Sequence, residues 1–341
     1  MSRLVVVSTV GVDDHDTGRR HPERPARLEA VERGIASVTS ADVVRRSPRH
    51  ATRDELARAH DPEYLDALER FVAGGGGALD PDTIASAGSW DTAAQAAGAG
   101  LVAVDALRRG DAEAAFVAVR PPGHHAPRDR AMGFCLLNNV AVAAAALVAD
   151  DERVLVIDWD VHHGNGTQAI FWDDPKVMYV STHQSPYYPG TGAPSDTGGA
   201  DAPGTVLNFA LPPGTTGDVA LAALDVVVGP AVARFAPTWV LVSSGFDAHR
   251  DDPLADLAWS SGDYALLARR VRDFAPAPGR LALFLEGGYD LDALERCTTT
   301  TLAALVADDD LAQLDTYEPP TSGGPGHAGV DLTARAHAPF T

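Results

Sequence analysis

The chain has 341 residues and an apolar fraction of 45%, and its 27 Lys and Arg stand against 47 Asp and Glu, a formal net charge of -20. This composition excludes an intrinsically disordered chain, and no apolar run reaches the roughly 20 residues that a membrane-spanning helix needs. The acidic balance argues against a nucleic-acid partner, because phosphate binding needs a basic face. We therefore expect a globular protein with enough residues for one large α/β domain or two ordinary ones.

The N-terminus and the cysteines indicate the cellular compartment in which the protein is expected. The first residues pass into an apolar run that is too short for a signal peptide, and no small-residue cleavage site follows it. Cys135 and Cys297 cannot form a disulfide framework, which suits a reducing environment. We expect a cytoplasmic protein.

Short β-branched runs alternate along the chain with segments of helical periodicity. The predicted strands are 4–8, 115–119, 154–157, 177–181, 206–211, 239–243 and 281–285. The predicted helices are 24–36, 90–109, 136–149, 220–235, 264–274 and 291–306. Several of the strands are apolar throughout, which is typical of strands covered on both faces of a parallel sheet. The pattern predicts a single-domain α/β fold, an open parallel sheet with helices on both faces.

The last residues differ from the rest. Residues 316–341 are rich in Pro and Gly and contain few apolar side chains. We expect them to form a tail, either disordered or lying over the surface, outside a domain of residues 1–315.

Polar residues cluster directly after four of the predicted strands. The four segments are 120–126, 158–167, 244–254 and 286–289. Open α/β sheets build their sites at the carboxyl ends of their strands. The four segments are therefore expected to converge on one site.

The segment after the third predicted strand has the spacing of a metal site. Asp158, Asp160 and His162 alternate along an extended stretch, so their side chains point to the same side. Asp160 and His162 can bind one metal ion, while Asp158 remains free to support these ligands from behind. Asp247 is the best-placed third ligand. Two Asp and one His leave a coordination position open, as in catalytic rather than structural sites.

Two other segments add groups suited to proton transfer. His124 and His125 follow a Pro-Pro-Gly turn, where they could do acid–base work beside a metal. Each imidazole needs a partner that holds its tautomer, and Asp158 and Asn165 are the candidates. Tyr289 follows two glycines and can donate a hydrogen bond to a developing oxyanion.

These motifs resemble those of the zinc-dependent histone deacetylase superfamily, on an arginase-like fold, which includes acetylpolyamine amidohydrolases and class II-like bacterial histone deacetylase-like amidohydrolases. The resemblance extends from the His-Pro-Glu-Arg-Pro-Ala-Arg segment at 21–27 to Glu-Gly-Gly-Tyr at 286–289. It implies that Asp160, His162 and Asp247 bind Zn²⁺, although two oxygen ligands and one nitrogen also accept Fe²⁺ or Co²⁺.

The resemblance also implies roles for the catalytic residues. His125 matches the general base and His124 its electrostatic partner, with Asp158 as the carboxylate behind His124. Asn165 stands where class I enzymes have a second aspartate, and asparagine there resembles the class II pattern. Tyr289 matches the catalytic tyrosine.

Further positions match the family's substrate and ion sites. The positions that match the acyl-lysine tunnel and its rim are Gly133, Phe134, Tyr188 and Leu254. The positions that match a structural potassium site are Asp158, Asp160, His162, Ser181 and Thr182. Arg27 resembles the arginine of an inner channel through which acetate leaves.

The implied reaction is metal-assisted hydrolysis of an N-acetyl amide to acetate and a free amine. Acetyl-lysine in proteins or peptides is the expected substrate, and acetylpolyamines and small N-acetyl metabolites are the alternatives. Leu254 replaces the glutamate that marks the vertebrate acetylpolyamine specialist, which weighs mildly against polyamines. A manganese ureohydrolase would need a denser aspartate cluster. The complete catalytic set weighs against an inactive acyl-lysine binding module. A homo-oligomer is not excluded.

The net charge leads to an expectation about the tunnel mouth. A negative field there would favour cationic acetylated substrates at low salt, with Asp80 and Asp82 as candidate rim residues. Genome composition explains the same acidity without any such role.

Overall fold

Eight parallel strands form the central sheet of the computed structural model, which describes residues 2–9, 14–306 and 316–340. In chain order the strands are β1 (Ser2–Ser8), β2 (Ala41–Arg46), β3 (Gly77–Ala78), β4 (Ile84–Ala85), β5 (Ala114–Ala118), β6 (Val154–Asp158), β7 (Val177–Gln184), β8 (Val206–Leu211), β9 (Trp239–Ser244) and β10 (Leu281–Leu285). The helices are α1 (Ala26–Ala36), α2 (Arg53–Leu56), α3 (Pro62–Ala73), α4 (Ser89–Arg108), α5 (Asn139–Ala149), α6 (Asn165–Ile170), α7 (Gly217–Ala223), α8 (Gly229–Phe235), α9 (Ser261–Phe274), α10 (Leu291–Val306) and α11 (His327–His337).

The strand order explains why distant segments of the chain meet. The order across the sheet is β2-β1-β5-β10-β9-β6-β7-β8, and β3 and β4 form a separate two-stranded antiparallel pair. The strands β5, β10, β9 and β6 are therefore neighbours, although they lie far apart in the chain. Since all four are parallel, their carboxyl ends share one edge of the sheet.

The sheet is covered by helices on both faces, as the apolar strands predict. In β1, Leu4 and Val6 belong to one buried cluster and Val5 and Val7 to the other, because successive side chains point to opposite faces. The first cluster contains residues of α1, α7, α9 and α10, and the second contains residues of α3, α4 and α5. The predicted fold class, a single α/β domain with a parallel sheet between helical layers, is confirmed.

Three strands were not predicted, namely β2 and the two-residue strands β3 and β4. The strand β2 lies at an edge of the sheet, and only Ala41 in it is fully buried. Because an edge strand needs fewer apolar side chains, the two valines of β2 are flanked by charged residues. The segment therefore lacks the continuous apolar run of the central strands.

The predicted helix 220–235 is interrupted. The chain passes from α7 through a π-helical turn at Leu224–Val228 into α8. Pro230 lies in the first turn of α8 and has no N–H to donate, and its ring would collide with a carbonyl of a regular preceding turn. The wider π turn accommodates the proline.

The C-terminal segment lies over the surface and contains a helix that the composition did not predict. The helix α11 packs against β8, the other edge strand, where the Thr333 hydroxyl donates to the Asn208 carbonyl at 2.5 Å. Ahead of this helix, the Glu318 carboxylate bonds His249 Nε2 at 2.7 Å and the Ser261 N–H at 3.1 Å. Residues 307–315, next to the predicted 315/316 boundary, lie outside the described residues, as does Thr341. The helices α2, α3 and α6 were not predicted either.

Within the described ranges, every helix is too short or too polar to cross a bilayer.

Candidate active site

The four polar segments converge at the carboxyl edge of β5, β10, β9 and β6. His124 and His125 follow β5, Asp160 and His162 follow β6, and Asp247 follows β9. All five residues are at least nine-tenths buried. The register of parallel strands thus brings together groups from distant parts of the chain.

The carboxylates of Asp160 and Asp247 meet at the imidazole of His162. The His162 Nδ1 atom lies 3.1 Å from Asp160 Oδ1 and 3.1 Å from Asp247 Oδ2. The remaining carboxylate oxygens accept backbone N–H groups, from Val161 at 2.8 Å for Asp247 Oδ1 and from Gly287 at 2.7 Å for Asp160 Oδ2. The backbone of two strand ends therefore holds both carboxylates in place.

Gly287 permits this close approach. A Cβ atom built on it would lie 2.0 Å from Asp247 Oδ2 and 2.6 Å from Asp160 Oδ2. Any larger residue would displace both carboxylates, which explains why glycine precedes the tyrosine segment at this position.

The three residues fit a divalent cation. Their ligand atoms all lie within 4.8 Å of one another, and all three side chains are buried. Burial and the charge of Asp160 raise the pKa of Asp247 to about 7, because two buried carboxylates in contact are costly without compensation. A cation would offset that cost, and two oxygens and one nitrogen leave coordination positions open for a reactant.

The tandem histidines are held by different partners. His124 Nδ1 lies 3.0 Å from Asp158 Oδ2, which also accepts the Tyr179 hydroxyl at 3.0 Å. His125 Nδ1 lies 2.8 Å from Asn165 Oδ1, and the Asn165 amide nitrogen donates to the His125 carbonyl at 3.2 Å. Since the amide oxygen only accepts, Nδ1 of His125 carries the proton and its Nε2 presents a lone pair.

The pKa values of the two imidazoles are shifted in opposite directions, although their ring centroids are only 4.0 Å apart. Burial lowers the pKa of His124, but the charges of Asp158, Asp160 and Glu286 outweigh it and raise the pKa well above its ordinary value. Burial and the neighbouring positive imidazoles lower the pKa of His125 well below its ordinary value. These opposite directions favour a charged His124 beside a neutral His125.

Tyr289 lies on the segment after β10, next to Asp252 and Arg27. Its N–H donates to Asp252 Oδ2 at 2.6 Å, and its ring packs 5.0 Å from the Arg27 guanidinium. Burial raises the pKa of the Tyr289 hydroxyl well above its ordinary value, and Arg27 only partly opposes this. The hydroxyl therefore remains protonated and able to donate.

The residues matched to the substrate tunnel surround the histidines. Gly133 has a φ of +58°, and a Cβ there would lie 2.4 Å from Cδ2 of His125. The Phe134 ring lies 5.9 Å from the Tyr289 ring, and the Tyr188 ring lies 5.1 Å from His125. Aromatic faces therefore stand on two sides of the site.

Leu254 lies farther out, next to an exposed tyrosine. Its carbonyl accepts the Tyr187 hydroxyl, and its N–H donates to Asp252 Oδ1 at 3.0 Å. The Tyr187 ring is 5.5 Å from His162 and 37% exposed, so this pair borders the candidate metal ligands at the surface.

The two residues matched only to a potassium site lie on β7, next to β6. In the register of the two strands, Ser181 is directly beside Asp158. Ser181 and Thr182 are both buried, and the Ser181 hydroxyl is paired with His183 Nδ1 at 2.9 Å.

Two buried carboxylates support the site although the sequence pattern assigned them no role. Glu286 accepts the N–H groups of Gly123 at 2.6 Å and His124 at 3.1 Å, which fastens the tandem-histidine segment to β10. Asp252 holds the backbone of Tyr289 and Leu254. A charged residue immediately after an apolar strand was the available signal for Glu286, whereas no local pattern distinguishes Asp252.

Arg27 connects the site to a buried charge cluster. Its Nε donates to the Gly288 carbonyl at 2.6 Å, and its terminal nitrogen lies 3.3 Å from Glu23. Glu23 also receives two hydrogen bonds from Arg120, at 2.8 and 2.7 Å. The cluster supports the backbone just before Tyr289.

Comparison with known proteins agrees with this geometry. Residues 21–305 match the family model of the histone deacetylase domain. The chain is 37% identical to a probable deacetylase of Archaeoglobus fulgidus, over 88% of this chain and 85% of that protein. It is 40% identical to the histone deacetylase-like amidohydrolase of Pseudomonas aeruginosa, over 79% of this chain and 71% of that protein.

A solved structure, the HD domain of HDA15, matches with a TM-score of 0.87 and 32% identity, covering 98% of this chain and 96% of that one. The matched family domain runs through all four segments of the site. The chain belongs to the histone deacetylase family.

Proposed function

We propose that this protein is a zinc-dependent amidohydrolase that removes acetyl groups from N-acetylated amines, with acetyl-lysine in proteins or peptides as its substrate. On this proposal, residues 1–315 form the catalytic domain and residues 316–341 form a C-terminal tail. The proposed location of the protein is the cytoplasm. The observation that carries the proposal is the convergence of three possible metal ligands, within 4.8 Å of one another, beside two histidines held separately by Asp158 and Asn165.

Asp160, His162 and Asp247 would hold the metal ion. When bound there, zinc supplies a Lewis acid that polarises an amide carbonyl and acidifies water. Fe²⁺ or Co²⁺ suits the same donor set. Ser181 and Thr182, beside Asp158, Asp160 and His162, are the proposed potassium site.

His125 is the general base. Its Nε2 has the lone pair, because Asn165 keeps the proton on Nδ1, so Nε2 accepts the proton of the attacking water. The nearby charge of His124, balanced by Asp158, stabilises the negative charge that develops on the substrate. Once protonated, His125 can return the proton to the departing amine.

Tyr289 donates its hydroxyl to the developing oxyanion. Its raised pKa keeps the proton in place, and Asp252 and Arg27 hold its backbone and ring. Gly133, Phe134, Tyr188 and Leu254 form the channel and rim that receive the acyl-lysine chain.

The test is release of acetate from a panel of acetyl-lysine peptides, acetylated polyamines and small N-acetyl metabolites, compared by kcat/KM. We expect the highest values for the peptides. Chelator treatment should abolish turnover, added Zn²⁺ should restore it, and a hydroxamate should inhibit. No acetate from any member of the panel with the metal-loaded protein would refute the proposal.

A higher kcat/KM for acetylpolyamines would support the proposed deacetylation and identify polyamines as the substrate class. Tight binding of acetyl-lysine peptides without turnover would instead identify a binding module.

A further inference from the structure

A surface cavity of about 650 Å³ opens beside Phe134. Residues 17–22 line it, together with Pro81 and Asp82. Phe134 links the cavity to the site, because its ring is 5.9 Å from the Tyr289 ring. A substrate whose acetyl-lysine passes Phe134 would place its neighbouring residues near this cavity.

A tight turn presents two arginines at this cavity. The Gly18 carbonyl accepts the His21 N–H at 3.1 Å, which leaves Arg19 and Arg20 at the two central positions of the turn. Gly18 has a φ of +92°, a conformation that residues with a side chain rarely adopt. Both arginines are therefore at the tip of a defined turn.

The turn is fastened at both ends. Thr17 Oγ1 donates to the Glu23 carbonyl at 2.6 Å. His21 Nδ1 accepts the Glu23 N–H at 3.1 Å, so its Nε2 carries the proton and donates to the Asp82 carbonyl at 3.0 Å. The His21 ring also packs edge-on against Phe134, with centroids 4.7 Å apart. The position of the two arginines is thereby tied to the tunnel wall.

Both guanidinium groups are exposed, and among the described residues neither forms a hydrogen bond or ion pair. By contrast, the exposed Arg49 makes two hydrogen bonds to the Glu55 carboxylate, at 2.7 and 2.6 Å. Nearby carboxylates have other partners: Asp16 accepts the Gly18 N–H at 2.8 Å, and Asp82 accepts the Thr83 hydroxyl at 3.1 Å.

Asp80, the other acidic residue expected at the rim, also has a local role. Its carboxylate accepts the N–H groups of Asp82 at 3.1 Å and Thr83 at 2.6 Å, which shapes the loop. The Thr83 hydroxyl in turn accepts the Phe134 N–H at 3.0 Å. The loop of Asp80 and Asp82 therefore supports the tunnel wall. Among the described residues that line the cavity, the charged side chains without a polar partner are those of Arg19 and Arg20.

We propose that Arg19 and Arg20 form an anion-binding subsite beside the tunnel mouth, which takes a carboxylate or phosphate group carried by the acetylated substrate. Guanidinium groups bind such oxyanions with paired, charge-assisted hydrogen bonds. The subsite selects acetyl-lysine segments that have an acidic or phosphorylated neighbour, despite the protein's net charge of -20. This inference rests on the proposed deacetylase function.

The test uses a matched set of acetyl-lysine peptides in which one residue before or after the acetyl-lysine is Glu, Gln, Lys or phosphoserine. The metal-loaded full-length protein, the Arg19→Gln/Arg20→Gln variant and an Arg70→Gln/Arg335→Gln control are compared by kcat/KM at low salt. The control replaces two exposed arginines elsewhere on the surface, so the net charge changes equally.

We expect the wild type to favour the Glu peptide over the Gln peptide by about three- to tenfold, since exposed ion pairs contribute modestly. The ratio should fall to within about twofold of unity in the Arg19/Arg20 variant, persist in the control and shrink as salt rises. A larger advantage for phosphoserine than for Glu would identify phosphate as the group selected.

Equal kcat/KM for the Glu and Gln peptides, or a preference for the Lys peptide, would overturn the subsite. Peptide affinity, measured by fluorescence anisotropy, gives a second readout that needs no turnover. A preference in affinity that disappears in the Arg19/Arg20 variant, without acetate release, would retain the subsite and refute the proposed function.

Discussion

The proposed catalytic floor of this protein and the proposed rim are built in different ways. The floor consists of His124, His125, Asp160, His162 and Asp247. The rim consists of Arg19, Arg20, Phe134, Tyr187 and Leu254. Floor residues follow strands, are at least nine-tenths buried and are held by short hydrogen bonds. Rim residues lie on turns and loops and are exposed or half-buried.

This difference separates reaction from selection. Strand register sets the floor, so a floor side chain cannot move without disturbing the sheet. The rim depends on turns fastened by a few bonds, such as the Thr17–Glu23 and His21–Asp82 pairs. We expect floor substitutions to abolish the chemistry and rim substitutions to change which substrates are used.

The largest effect is expected for Asp247→Ala. Loss of even an outer partner of a metal ligand costs about 10–100-fold in metal affinity or activity, so loss of the ligand should cost more. Metal content by elemental analysis and acetate release should both collapse. Asp256→Ala, which removes an exposed carboxylate of the same loop, should change neither. A variant of Asp247 that retained its metal and its turnover would contradict the ligand assignment.

The next effect is expected for Tyr289→Phe, which removes one hydrogen-bond donor. Loss of an oxyanion donor typically lowers kcat by about 10²–10³-fold, with little change in KM or metal content. Tyr187→Phe, at the rim, is the matched control and should remain within about threefold of wild type in kcat. Similar effects of the two substitutions would contradict the oxyanion role of Tyr289.

Asn165→Asp tests the charge state of the floor. The added negative charge, 2.8 Å from His125 Nδ1, would favour the imidazolium form and raise the lowered pKa of His125. The acidic limb of the profile of kcat/KM against pH should therefore move to higher pH, by about one pH unit or more. An unchanged limb would show that His125 is not the base whose titration limits the rate.

His60 tests how the free energy of unfolding depends on pH. Its Nδ1 donates to the Pro127 carbonyl and its Nε2 accepts the Asn138 N–H, both at 2.9 Å, so it braces the loop that carries Phe134. Burial lowers the pKa of His60 to about 4, whereas the unfolded chain binds a proton near pH 6.5. The stabilisation is complete above pH 6.5 and is lost as the pH falls toward 4.

This loss amounts to about 2 kcal/mol between pH 6.5 and pH 5, at 1.36 kcal/mol per pH unit for one proton. Urea unfolding of wild type and His60→Gln over that range should show a weaker pH dependence in the variant. His327→Gln, at an exposed position, is the control. Parallel curves for wild type and His60→Gln would contradict the assignment.

Much of the floor could be predicted from the sequence because its signals are local. Asp160 and His162 are two residues apart directly after β6, although the chain bends there instead of continuing in the extended conformation that their alternation predicts. The tandem histidines and the tyrosine each follow a strand that is apolar throughout. Such strands have few alternatives to burial in a parallel sheet, and their carboxyl ends must then share an edge.

What the sequence by itself determined is the fold class and the chemistry of the strand ends. Only the tertiary structure decided the edge strand β2, the π turn before Pro230, the helix α11 and the supporting carboxylates Glu286 and Asp252. It also decided that Arg19 and Arg20 face a cavity beside Phe134. The reason is that these features depend on contacts between segments distant in the chain, whose energies no local pattern of residues records.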